Sequence, residues 1–200
     1  LIPQTALMGM SKPMVFDGID DCVTGSAVDI GTSFSLSMWI KADVINTTQY
    51  IFSISNSSSH RASVRLESQK IDMSYYDSDG AGYENTETSS NVITSVDTWY
   101  HIVWTGISGG TKTVYVNGAS QATSSGSTHS QGNEFNIGQK GDDSGFFNGI
   151  ITEVAAWDSV ITLAEVQAIF NDGVALDVSS DSGDYESSSD LVGYWRNDGA

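Results

Sequence analysis

Residues 34–41 alternate: Phe34, Leu36, Met38 and Ile40 are apolar, and Ser35, Ser37, Trp39 and Lys41 fall between them. Successive side chains of a strand point to opposite faces, so a period of two predicts a strand with one buried face. The same habit recurs at Tyr50–Ser55, Ala62–Glu67, Lys70–Tyr76, Trp99–Thr105, Thr111–Val116, Ala119–Thr123, Glu134–Gly138 and Phe147–Trp157. Gly, Ser, Asn and Asp separate these runs. Asn117-Gly118 joins two of them, and a two-residue hairpin turn needs the positive φ that this pair tolerates. About ten short strands with turn residues between them fit an all-β, antiparallel two-sheet sandwich.

One segment breaks the period. Thr162 with Glu165 forms a capping box, Ile161 and Val166 are spaced as a hydrophobic staple, and Leu163, Val166, Ile169 and Phe170 make one apolar face ahead of Gly173. A single short C-terminal helix is expected, lying on the sandwich as a lid. Residues 1–13 read as an N-terminal extension, 14–176 as the sandwich and 177–190 as a mobile, acidic Ser-rich loop. Residues 191–200 hold a final strand, Leu191–Arg196, or the start of a following segment. Leu1 in place of Met is expected of a processed or partial chain.

Charge excludes some partners. Eight Lys and Arg stand against 25 Asp and Glu, a formal net charge of −17. That field repels phosphate backbones and anionic lipid, so neither nucleic acid nor electrostatic membrane docking is expected, and no segment approaches the run of about 20 apolar residues that membrane insertion needs. It suits divalent cations and neutral glycans. The single cysteine, Cys22, excludes an intrachain disulfide and a thiolate metal centre, and is expected to be buried as a small hydrophobe.

Several segments, in order, resemble laminin-G-like domains of the concanavalin A-like lectin and glucanase superfamily. They are "MVFDGIDDCV" at Met14–Val23, "FSLSMWIKA" at Phe34–Ala42, "TWYHIVWT" at Thr98–Thr105, "KTVYVNG" at Lys112–Gly118, "FNIGQ" at Phe135–Gln139 and the run Phe146–Phe170. The resemblance implies a jelly-roll sandwich. It also implies a choice among lectins, adhesion modules, glycosidases and virion parts, because one fold carries many functions.

Glycoside hydrolysis needs two carboxylates facing one sugar. The Glu-x-Asp-x-x-Glu run of the resembling glucanases is absent. Glu153 and Asp158 alternate onto opposite faces, and Glu84 and Glu87 fall in a Gly/Ser/Thr-rich stretch. His60, His101 and His129 have no nucleophile elbow near them in sequence, so no catalytic residue is assigned and no enzyme is expected. Calcium is the cofactor to test, since hard cations take oxygen ligands from acidic loops. Asp77 and Asp79 in Asp77-Ser78-Asp79-Gly80, and Asp142 and Asp143 before the long closing strand, are the candidate ligands. Asp17, Asp20 and Asp21 read as structural, with carboxylates satisfying turn amides.

Sugars are held by aromatic faces with polar partners for their hydroxyls. Tyr76 and Tyr83 flank the Asp77–Gly80 loop, and Trp39 falls on the polar, partly exposed face of its strand; these three are the ligand-binding candidates. The sequence reading is therefore a non-catalytic glycan-binding or adhesion module of a larger extracellular or virion surface protein. Its partners would be glycans or neighbouring subunits. The alternative is a purely structural jelly roll, such as a capsid decoration, fibre component or filament subunit.

Overall fold

The alternating run at 34–41 lies inside a sheet rather than at its edge. The structure, a computed structural model, describes residues 12–26, 28–29, 31–56, 60–77, 82–126 and 132–197. Among them, β1 (Met14–Asp17), β3 (Ser33–Ala42), β8 (Trp99–Ile107), β9 (Thr111–Val116), β10 (Ala119–Ser125), β12 (Asn148–Trp157) and β13 (Leu191–Trp195) form one sheet. Its order is β1-β12-β3-β8-β9-β10, with β13 also paired to β12. The second sheet comprises β2 (Val23–Ser26), β4 (Thr48–Asn56), β5 (His60–Glu67), β6 (Lys70–Asp77), β7 (Gly82–Glu87) and β11 (Glu134–Ile137). Its order is β2-β11-β4-β5-β6-β7, and every described pairing in both sheets is antiparallel. This is the expected two-sheet sandwich.

Phe34, Leu36, Met38 and Ile40 share one core with Phe52, Ile54, Val64, Leu66, Ile71 and Met73 of the other sheet. Each fully buried side chain of this size contributes about 1.5–3 kcal/mol. The opposite face of β3 is buried too: Ser35, Ser37 and Trp39 are nearly solvent-free. The helix α1 (Leu163–Phe170) and the chain that follows it cover that face. Val103, Ala155, Trp157, Ile161, Val166, Ile169, Val178 and Tyr185 pack there as a second cluster.

The capping box is made. Thr162 Oγ1 accepts from the Glu165 amide at 3.2 Å, and Glu165 Oε2 accepts from the Thr162 amide at 2.7 Å. Ile161 and Val166, the staple pair, are both buried. Leu163 is not part of the apolar face; it is 48 % exposed, while Val166, Ile169 and Phe170 make the contact.

Other details depart from expectation. Within residues 177–190, Val178 and Tyr185 are buried, and Tyr185 accepts from Trp157 Nε1 and donates to Val178 O, each at 2.9 Å. Their acids are acceptors for local turns, as when Asp177 takes the Ser179 amide and Asp181 the Ser188 amide. Cys22 is exposed, at the end of a turn that points its neighbours outward. Glu84 and Glu87 lie in β7, an edge strand too polar to announce itself by alternation.

Candidate functional site

A row of small polar residues crosses the whole six-stranded sheet. Thr24, Asn136, Ser53, Ser63, Ser74 and Asn85 are register partners in succession, one from each strand. With strands about 4.8 Å apart the row is about 24 Å long. It faces away from the core, since the residues beside it (Phe52, Ile54, Ala62, Val64, Met73, Tyr75) point inward. Ser53, Ser63 and Ser74 are short and buried beneath taller neighbours, and the Ser63 and Ser74 hydroxyls bond each other at 3.0 Å.

Two rows of register partners flank this floor. Tyr50, Arg65, Asp72 and Glu87 run along one side, and Ser55, Arg61, Tyr76 and Tyr83 along the other. Arg65 ties them together. Its Nη1 donates to Tyr50 Oη at 3.3 Å and its Nη2 to Tyr83 Oη at 2.9 Å. The same Nη2 lies 2.8 Å from Glu67 Oε2 and 3.4 Å from Asp72 Oδ2. Burial acts to lower the Arg65 pKa, but the Tyr50 bond and the Asp72 charge outweigh it and hold the guanidinium above its ordinary value. Burial, then Asp72, pushes the Tyr83 phenol up, so it stays protonated and able to donate. Asn85 Nδ2 donates to Asp72 Oδ2 at 2.9 Å. The outcome is a tyrosine ring, 47 % exposed, pinned by its hydroxyl at the sheet edge.

The chain from Gly138 to Phe147 folds over the other end of the row. Ser53 Oγ donates to Gln139 O, Gln139 Nε2 to Asn136 Oδ1, and the Tyr50 amide to Gly145 O. Gly141 and Gly145 permit this approach: both have positive φ, and a Cβ would meet Ser55 Oγ at 2.4 Å or Tyr50 Cδ2 at 2.6 Å. Asp142 accepts from Lys140 Nζ at 2.6 Å and from Ser144 Oγ at 2.5 Å. Burial would raise the Asp142 carboxyl, but these donors, with the charges of Lys140 and Arg61, hold it below its usual range.

Of the residues singled out in the sequence, Tyr83 stands on this face. Tyr76 is in register with Tyr83 and Arg61, but its side chain and that of Asp77 lie outside the described residues, as does Asp79. Asp142 sits in the covering loop. Asp143, at φ 53°, acts with Asp21, Asp20 and Glu134 on the Cys22 thiol, which burial first and these charges next push upward. Asp17, Asp20 and Asp21 bring their carboxylates within 4.8 Å of one another while serving the turn: Asp17 Oδ1 takes the Ile19 amide and Asp21 Oδ2 the Asp17 amide.

Trp39 is a correction. It is not partly exposed but 2 % exposed, under α1 on the opposite side of the sandwich, with its ring stacked on His101 and Phe170. The alternation was right; the second face of β3 is simply covered by the helix.

Tyr50, Arg61, Arg65, Asp72 and Asn85 went unnoticed in the sequence. A signal existed: Arg61 and Arg65, two of only eight cations, flank Ser63 on alternate positions of β5.

A second polar group lies beneath α1. Ser37 Oγ and His101 Nε2 are 2.8 Å apart, and Glu153 lines the same cavity. That cavity is about 10 Å³, room for one water and not for a substrate. Burial pushes His101 down to about 3, so the imidazole is neutral. Glu153 sits at a bulge in β12 with φ 51°, accepts from Tyr194 Oη and lies 3.6 Å from Arg196 Nε. The acid that came nearest to a catalytic candidate is thus engaged by two partners, while Asp158 is exposed.

Comparisons agree with the architecture. Residues 17–167 match a laminin-G family model described as the concanavalin A-like lectin/glucanases superfamily. No curated protein matches the chain in sequence. Among solved structures, a heptameric SAP-like pentraxin from Limulus polyphemus is similar at TM-score 0.59 and 19 % identity, over 92 % of this chain and 91 % of that one. A candidate carbohydrate-binding protein from Bacteroides ovatus is similar at TM-score 0.63 and 18 % identity, over 94 % of this chain but 54 % of its own. Domain 4 of an extracellular arabinanase from Geobacillus stearothermophilus, solved with arabinotriose, is similar at TM-score 0.56 and 17 % identity, over 69 % and 66 %. At these identities the likeness speaks to fold.

Proposed function

Because the chain belongs to the concanavalin A-like lectin/glucanases superfamily, we propose that it is a non-catalytic glycan-binding module of a larger surface or virion protein. The sugar would lie on the outer face of the six-stranded sheet, against Tyr83. The observation that carries this reading is the half-exposed Tyr83 ring held by Arg65 beside Asp72 and Asn85. A fixed aromatic face takes the apolar side of a sugar at little entropic cost, and the exposed Asn85 amide beside it, oriented by the buried Asp72, suits its hydroxyls. The binding named for the Bacteroides protein and the arabinotriose of the arabinanase domain favour the same class of ligand. No described helix is long and apolar enough to cross a membrane.

Calcium forms part of the proposal. Gln139 Oε1 is buried without a hydrogen-bond partner among the described residues, close in sequence to Asp142 and Asp143, and an orphaned oxygen suits a hard cation. Gln139, Asp142 and Asp143 would hold it, with Asp77 and Asp79 the further candidates. Bound there, calcium would supply a fixed positive charge toward sugar hydroxyls.

The test is a broad glycan array with the full chain, in calcium and in chelator, repeated for Tyr83→Ala and Arg61→Ala. Hits that Tyr83→Ala weakens about tenfold or more support the reading, since stacking and a lost hydrogen bond together reach that scale. A blank array in both arms transfers the assignment to the structural jelly-roll reading, with neighbouring subunits as partners.

A further inference from the structure

The two sheets also meet at a rim where β7 and β10, the last strands of their orders, lie side by side. Between them is a cleft of about 260 Å³ whose walls include Tyr75, Glu84, Thr86, Lys112 and Ser124, together with Tyr83 and Asn85 of the outer face. Tyr75 is 2 % exposed and lines this cleft, and its Oη has no hydrogen-bond partner among the described residues. The ring cannot turn away to find one: it is packed against Trp104 at 4.9 Å and Phe34 at 6.0 Å between centroids. Buried hydroxyls are almost always paired, so an orphan on a cleft wall points to something that enters the cleft.

The surrounding chemistry narrows what that is. Lys112, although 3 % exposed, ends at the cleft; its Nζ donates to Gly126 O at 2.6 Å, stands 3.8 Å from Glu84 Oε2 and lies 5.9 Å from the Tyr75 ring centroid. One ammonium and one carboxylate offset each other, so the cleft has no net charge in a strongly acidic chain. Thr86 and Ser124 place a hydroxyl pair on the wall. Donors and acceptors are mixed, charge is balanced, and an aromatic ring forms one side. A carboxylate or phosphate ligand would meet Glu84, and a cation would meet Lys112. A neutral, hydroxyl-rich ligand meets neither penalty.

We propose that this rim cleft is a further ligand site, adjoining the outer face through Tyr83 and Asn85, that takes one neutral sugar ring of pyranose size, a ring hydroxyl completing the hydrogen bonding of Tyr75 Oη. The ligand class rests on the glycan-binding reading above; Tyr75, Glu84, Thr86, Lys112 and Ser124 belong to the cleft and not to the Arg61–Arg65 face.

The experiment is an amide NMR titration of the full chain with D-glucose, D-galactose and L-fucose in turn. At least one sugar should shift the Glu84, Thr86, Lys112 and Ser124 amides saturably. Tyr75→Phe, which keeps the ring and deletes only the orphan hydroxyl, should weaken that binding about five- to tenfold, the scale of one hydrogen bond, with melting temperature equal or higher. Arg61→Ala should leave these shifts unchanged. Silence at the four amides for all three sugars overturns the proposal. So does unaltered binding by Tyr75→Phe, or a lower melting temperature for that variant without a binding effect, which would assign Oη to an ordered water alone. Cleft shifts with a blank array would sink the outer-face reading and keep this one; array hits lost in Arg61→Ala with a silent cleft would do the reverse.

Discussion

The His101 imidazole lies against the Trp39 indole, centroids 4.9 Å apart at 28°, with its Nε2 2.8 Å from Ser37 Oγ and only 1 % of the residue exposed. Burial pushes its pKa down to about 3, whereas an unfolded histidine titrates near 6.5. The unfolded chain therefore binds the extra proton first as pH falls. Above about pH 7 both states are neutral and His101 costs nothing; from about 6.5 down toward 3 it removes stability, by up to about 1.4 kcal/mol per pH unit. His101→Gln, which does not titrate, should flatten that part of the acid limb. Urea unfolding of both proteins between about pH 4.5 and 7.5 measures it; parallel curves would mean the imidazole reaches solvent.

Trp39 offers a way to separate stability from ligand binding. Its indole fills the space between β3 and Phe170, rings 5.9 Å apart at 20°. Trp39→Ala should cost about 3–5 kcal/mol through the cavity it leaves. Under conditions where the variant is still folded, its glycan-array pattern should match the parent. A selective loss of sugar binding with intact stability would instead place a ligand under α1.

Glu165 carries more than a helix cap. Its two oxygens take the Thr162 amide and hydroxyl on one side and the Glu186 amide and Ser187 hydroxyl on the other, so one carboxylate fixes α1 to the chain that leads into β13. Burial would raise its pKa; the Ser187 and Thr162 donors and the Glu186 amide more than compensate and hold it below the usual carboxylate value. The sign follows: this stability is fully present above the unfolded pKa and is lost as pH falls through the folded one. Glu165→Gln should cost about 1–2 kcal/mol at neutral pH and much less under acid conditions. Thermal melts at two pH values test this; an equal loss at both would show that the charge plays no part.

How much of this was legible in the sequence depended on which face a residue served. Phe34, Leu36, Met38 and Ile40 announce a strand because one side is apolar and the other is not, and the Thr162–Glu165 box announces a helix start because both partners are local. β7 did not show itself, since Tyr83, Asn85 and Glu87 face outward while Glu84 and Thr86 face a polar rim. Trp39 misled because alternation says which residues share a face, not whether a later helix covers it. The Arg65 hub needs Tyr50, Asp72 and Tyr83 brought together from three other strands, and no spacing within one strand encodes that. The Tyr75 orphan hydroxyl is likewise a property of what surrounds it.

The Lys140–Asp142 contact makes the calcium proposal testable from both sides. Lys140 Nζ, 2.6 Å from Asp142 Oδ2, occupies with its own charge the oxygen a metal would need. A cation entering there must displace the ammonium and take the carboxylate from Ser144 as well. If Asp142 is a ligand, Lys140→Gln should tighten calcium, by roughly fivefold for one exposed competing charge, and Asp142→Asn should abolish any calcium-dependent rise in melting temperature. Isothermal calorimetry with calcium chloride against a chelator-treated blank reads both. Opposite effects of the two variants would place the ion at this loop. A calcium response that neither variant alters would move it elsewhere, with the exposed Asp17, Asp20 and Asp21 carboxylates next to be substituted.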